Sequence, residues 1–123
     1  MSYKDFRNMA VWQNAFKLLV KIYKLTQSFP DEEKFGMISD MRRAANSVVH
    51  NIAEGYGRFE PKDKTRFYKI SRGSSYELIS QLLASYELEF FKNKAEMDEL
   101  VTSYEGVIQE LNSLIKTLES KNA

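Results

Sequence analysis

Cysteine is absent from this 123-residue chain, which excludes disulfide stapling, thiolate nucleophiles and cysteine-ligated metals. Histidine occurs once, as His50. Zinc pairs of the His-x-x-x-His type therefore cannot form. A di-iron carboxylate bundle is missing its two Glu-x-x-His motifs, because Ser47 stands three residues before His50. Glycine is sparse, and the Gly55-Tyr56-Gly57 run lacks both the spacing and the following Lys-Ser/Thr of a phosphate loop. Long hydrophobic runs are missing too. No segment approaches the ~20 apolar residues of a membrane span. Met1 to Arg7 lead directly into an amphipathic segment, with no signal-peptide core. These absences lead us to expect a cytoplasmic protein that is not an enzyme and needs no cofactor or metal.

Proline is nearly absent as well: Pro30 and Pro61 both fall where the hydrophobic periodicity breaks. Between these breaks the pattern is helical, with no strand-like alternation. From about residue 8 to 28, Val11, Ala15, Leu18, Ile22, Leu25 and Phe29 form one stripe; Trp12, Phe16, Leu19 and Tyr23 form a second beside it. A second helix is expected over 34–55, with Met37, Met41, Ala44, Val48 and Ile52 as its apolar face. Pro61, harmless in a first turn, opens a third and longest helix expected over 61–91, with Phe67, Ile70, Ser74, Leu78, Leu82 and Ser85 on one face. Gly73 to Ser75 add a patch of small residues where another backbone could approach. Asn93 and Glu96 have capping-box spacing and open a fourth helix over 94–119, whose stripe from Met97 to Leu118 is the cleanest in the chain. Short connections between four such helices favour a single all-α domain, an antiparallel up-down-up-down four-helix bundle.

The second helix also carries polar residues at helical spacing: Arg43, Ser47, Asn51 and Glu54, ended by Gly55 and Gly57. An arginine and a glutamate on one helix edge suggest a specified buried or interfacial network, because unpaired buried charge is costly. The two stripes of the first helix suggest that it serves both the bundle core and a neighbouring subunit, with Trp12, Phe16 and Tyr23 as interface anchors. Net charge is only +1, but it is unevenly spread: residues 1–72 carry 14 Lys and Arg against 8 Asp and Glu, and residues 73–123 carry 4 against 9. Arg58, Lys62, Lys64, Arg66, Lys69 and Arg72 fall within fifteen residues, interleaved with Tyr56, Phe59, Phe67 and Tyr68. Such a run suits either phosphate binding with base stacking or a solvated helix face with local ion pairs.

The segments FRNMAVWQNA, LTQSFPDEEKFGM, SDMRRAANSVVHNIAEGYGR and TRFYKISRGSSYELISQLL occur in this order from about Phe6 to Phe91. Together they resemble the bacterial 23S rRNA intervening-sequence proteins. Arg43, Asn51, Glu54, Gly55 and Gly57 match that family's motif; Ser47-Val48-Val49 stands where relatives commonly carry a Ser-Ile-Pro-like run. The resemblance implies an antiparallel four-helix bundle and suggests a ring-shaped homo-oligomer, a pentamer. It supplies no reaction. A related group, the accessory proteins of diversity-generating retroelements, looks like a basic ring platform for nucleic acid and a reverse transcriptase. The expected function is accordingly a homo-oligomeric protein that binds RNA or DNA through the basic run. The alternative is a protein-protein adaptor without nucleic acid.

Overall fold

The computed structural model describes residues 3–121. Its helices start where the local chemistry directs. Asn93 Oδ1 accepts the backbone N–H of Glu96 at 3.0 Å, opening α4, Lys94–Lys121. Pro61 occupies the first turn of α3, Pro61–Glu87. Two further helices, α1 (Ala10–Thr26) and α2 (Met37–Tyr56), and two short 3₁₀ turns, Phe6–Asn8 and Asp31–Glu33, complete the described elements, with no strand among the described residues. Residues 30–36 take up more of the first connection than expected. Pro30 introduces the 3₁₀ turn, and α2 begins only at Met37, whose N–H reaches Glu33 Oε1 at 3.2 Å.

Polar contacts between helices fix the direction of each pair. Going up α2, Met41 meets Ser85, Ser47 meets Ser74 and Val48 meets Ser71 of α3, so the two run antiparallel. Arg42 meets Thr26 and Asn46 meets Tyr23 between α2 and α1. Arg72 meets Asn112 and Lys69 meets Glu119 between α3 and α4; Asn14 meets Glu110 and Lys21 meets Glu99 between α1 and α4. Each helix therefore packs against its sequence neighbours, α1 closes on α4, and α1 and α3 lie diagonally. The result is an antiparallel up-down-up-down four-helix bundle.

The core follows the expected stripes of α1, α2 and α4: Val11, Leu18, Ile22, Met41, Val48, Ile52, Tyr104, Val107 and Leu111 are all buried. At one end Phe29 lies 5.5 Å from Phe90 and 6.0 Å from Phe91, ring centre to ring centre, so the two connections there close over the core with aromatic rings. Tyr104 is fully buried, and its hydroxyl has no hydrogen-bond partner among the described residues; burial alone pushes its phenol well above the ordinary range.

α3 departs from expectation in its buried face and in its length. Its buried positions are Thr65, Tyr68, Ser71, Ser75, Leu78, Leu82 and Ser85, whereas Ile70 is 42% exposed and Ser74 is half-buried. It also stops at Glu87 rather than near residue 91, so α4, at 28 residues against 27, is the longest helix. The stop is a Schellman turn. The N–H of Phe90 reaches back to Ser85 O at 2.9 Å, that of Glu89 reaches Tyr86 O at 3.0 Å, and Glu89 adopts a left-handed φ of 62°. A glutamate at that position is strained, since Cβ crowds the backbone there. Glu89→Gly should stabilise the protein by about 1 kcal/mol in urea unfolding; a destabilisation would show that the turn is held by the Glu89 side chain rather than tolerated in spite of it.

Candidate nucleic-acid interface

The basic run sits at the corner where α2 passes into α3, and Gly55 shapes that corner. Gly55 lies within α2 rather than ending it: a Cβ there would stand 2.7 Å from Tyr68 Cε1 and 3.2 Å from Phe67 Cβ. The glycine thus permits a close approach of α3 that no other residue allows without displacement. Gly57 caps the helix with an ordinary φ of −73°, and a Cβ there would meet only ordinary van der Waals contacts, with Glu54 O at 3.5 Å and Ala53 O at 3.7 Å. Lys64, one turn into α3, then reaches under the end of α2, donating to Tyr56 O at 2.7 Å and Gly55 O at 3.4 Å. A cation at carbonyls left free by a helix C-terminus is favourable.

The remaining basic residues divide into two groups. Arg58 lies 4.7 Å and Arg66 4.4 Å from the centre of the Phe67 ring, so two guanidiniums rest on one ring. Arg58 also meets Glu54 at 3.6 Å and Arg66 meets Asp63 at 3.5 Å, both across exposed side chains. Lys62 is exposed beside them. Phe59, in the linker between the helices, is 91% exposed, and Tyr56 is 40% exposed. Lys69 and Arg72, by contrast, turn toward α4, where Lys69 Nζ pairs with Glu119 at 3.0 Å and Arg72 donates to Asn112 Oδ1 at 2.8 Å. Tyr68 is buried and cannot offer a stacking face. The structure therefore brings Arg58 and Arg66 together on Phe67, leaves Phe59 and Lys62 exposed close to them in the chain, and turns Lys69 and Arg72 toward α4.

The polar stripe of α2 is a seam between helices rather than a buried ion pair. Arg43 pairs with Glu77 of α3 at 2.8 Å, and Glu54 pairs with Arg58, so the two residues expected to meet do not. Between them, Asn51 Nδ2 donates to Ser47 O at 2.9 Å and to Ser47 Oγ at 3.1 Å, and Ser47 Oγ lies 2.8 Å from Ser74 Oγ. Glu77 lies 34 positions beyond Arg43, so no spacing within α2 signals the pair. His50 is exposed and lies 3.2 Å from Asn46 Oδ1. No group of three or more metal-ligating side chains occurs among the described residues.

On the α1 side, the expected interface anchors belong to a longer aromatic ladder. Tyr56 and Phe6 ring centres are 6.4 Å apart, Phe6 and Trp12 5.1 Å, and Trp12 and Phe16 5.0 Å. Phe16 is 43% and Val20 40% exposed, so the ladder presents an apolar strip to solvent. Tyr23 continues it, with the Arg42 guanidinium 4.6 Å from its ring and Asn46 donating to its hydroxyl at 2.9 Å. Phe6 is held in place by the turn around it: Asp5 accepts from the Arg7 side chain and backbone, which holds the Asp5 carboxyl below its usual range. No periodicity signals Phe6, since it lies in a 3₁₀ turn.

Comparison with known proteins places these features in a family. The profile of the 23S rRNA-intervening sequence proteins matches residues 7–113. No curated protein matches the chain. A solved structure from Bacteroides thetaiotaomicron, described as a protein with unknown function from the S23 ribosomal protein family, superposes with a TM-score of 0.77 at 19% identity, covering 87% of this chain and 99% of its own. That likeness carries the fold. No helix among the described residues is long and apolar enough to cross a membrane.

Because Glu54 is exposed and its ion pair is with the likewise exposed Arg58, Glu54→Ala should cost less than about 1 kcal/mol in urea unfolding. A loss of about 3–5 kcal/mol would mean that the carboxylate is buried in an obligatory pair after all.

Proposed function

The chain belongs to the 23S rRNA-intervening sequence protein family, and from that premise we propose that it is a cytoplasmic, non-enzymatic, ring-forming homo-oligomer that binds single-stranded RNA or DNA at the α2–α3 corner. The observation that carries this reading is Phe59, 91% exposed in a short linker between Arg58 and Lys62, with Arg66 nearby on the next helix. An aromatic ring held in water among cations suits a base to stack on it and phosphates to meet the cations. Arg58 and Arg66 hold only exposed, weak ion pairs, which a phosphate can replace at little cost. Repetition of the corner around an oligomer multiplies its affinity, which a protomer of net charge +1 needs.

Self-association is supported by the Tyr56–Phe6–Trp12–Phe16 ladder, an exposed apolar strip of the kind that marks protein interfaces. The same strip favours a second reading, a protein-protein adaptor. Co-purification from cells separates the two, because nuclease treatment releases a nucleic acid but leaves a protein partner bound.

The test is fluorescence anisotropy with labelled single-stranded RNA and DNA across a salt series. Binding should weaken with salt by about 0.7 log units per tenfold salt for each phosphate contacted. It should fall at least tenfold in a variant with Arg58, Lys62 and Arg66 changed to Glu, and Phe59→Ala should weaken it with the salt slope unchanged. Reversing Lys69 and Arg72 should matter less. Absence of binding at low salt, or equal affinity for the triple variant, would sink the proposal.

A further inference from the structure

The two ends of the bundle are built differently. At the end closed by Phe29, Phe90 and Phe91, connections cover the core; at the other end, α1 begins late. Asn14 meets Glu110 at 2.9 Å, and with antiparallel helices this register carries the last two turns of α4 past Ala10, where α1 starts. The preceding 3₁₀ turn places Phe6 against Tyr56 and Trp12 and so leads the chain away toward α2. A slot of about 640 Å³ is left where an earlier start of α1 would have lain between α3 and α4.

The slot has a polarity along its length. Its walls are apolar, from Met9 and Val11 on one side, Tyr68 on another, and Leu114 and Leu118, both only half-buried, on α4. The contacts of Arg72 with Asn112 and of Lys69 with Glu119 set the register of α3 on α4 and bring Lys64 level with Lys121. Two lysines thus bracket its outer end. Among the described lining residues the one carboxylate, Glu110, lies toward the α1 end, where it accepts from Asn14. Lys64 uses two of its three ammonium hydrogens on the α2 carbonyls, which leaves one for a ligand. Tyr68, 3% exposed, also lines the slot.

We propose that this slot binds a small amphipathic anion, its apolar body against Val11, Leu114 and Leu118 and its acidic head between Lys64 and Lys121, with the Tyr68 hydroxyl as a further donor. The volume falls within the range of small-molecule sites, and apolar walls with a few convergent polar groups are their usual make-up. The lysine pair at one end selects the sign of the head group and orients the ligand. This site is separate from the proposed nucleic-acid corner, of which it shares no basic residue that the Glu variants alter.

The probe is 1-anilinonaphthalene-8-sulfonate, an apolar body with one sulfonate, titrated into the whole protein. Its fluorescence should rise and saturate at one molecule per chain, decanoate should displace it, and decyltrimethylammonium should not. Thr117→Trp, at an exposed position on the rim, should fill the slot and weaken binding at least tenfold while the circular dichroism stays unchanged. Lys121→Met should weaken it severalfold and reduce the preference for decanoate; Lys64→Met should do the same, and Lys121→Met carries the test if loss of the α2 cap unfolds that variant. Unsaturable binding, equal displacement by the cation, indifference to Thr117→Trp, or a site that opens only on dilution to the monomer and so belongs to a second copy, overturns the proposal.

Discussion

The close approach of α2 to α3 is the constraint on which the rest of the molecule depends. Gly55 has no room for a Cβ against Tyr68 and Phe67. Further along the same contact, Ser71 Oγ donates to Val48 O at 2.8 Å and Ser75 Oγ to Ser71 O at 2.9 Å, so the buried hydroxyls are satisfied without water. Small side chains on α3 let the two backbones come together, and the volume they leave is filled from the other helices by Met41, Ile52, Tyr104 and Leu111. Tyr104 is where this arrangement is least complete, since its hydroxyl is buried without a partner among the described residues.

That contact also determines which residues at the bundle end are free to act. With α3 pressed against Gly55, Lys64 falls beneath the last carbonyls of α2 and is drawn into the structure. Arg58 and Arg66 both rest on the Phe67 ring, and Phe59, in the four-residue linker, stays exposed. One exposed ring and three cations are left facing water. The same geometry keeps Tyr68 under the slot at the end of α1, so two surfaces of different chemistry share one packing contact.

Much of this was legible in the sequence, and the parts that were not have physical reasons. The stripe of α4, the capping by Asn93 and the start of α3 at Pro61 were readable because each depends on residues within a turn or two. The buried face of α3 was legible only in part: Leu78, Leu82 and Ser85 lie inside as expected, but hydrophobic periodicity cannot register Thr65, Ser71 and Ser75, whose burial is repaid by hydrogen bonds and close packing, and it favours Ile70 and Ser74 in their place. The end of α3 was hidden because its turn uses Glu89 where glycine is the usual signal. Arg43 and Glu54 share a helix edge as expected, but their partners are set by what lies opposite, Glu77 across the seam and Arg58 one turn on. The basic run was visible as composition; its division, with Lys69 and Arg72 turned to α4, depends on tertiary contacts that no spacing reveals.

A single methyl group tests the central contact. Alanine is the better helix former by about 1 kcal/mol, so in an open helix Gly55→Ala would stabilise. Against a tyrosine ring at 2.7 Å it should instead destabilise by about 1–3 kcal/mol in equilibrium urea unfolding, because α3 must move away. A neutral or stabilising result would contradict the account, since it would mean that α2 and α3 are not held at the distance that Gly55 permits.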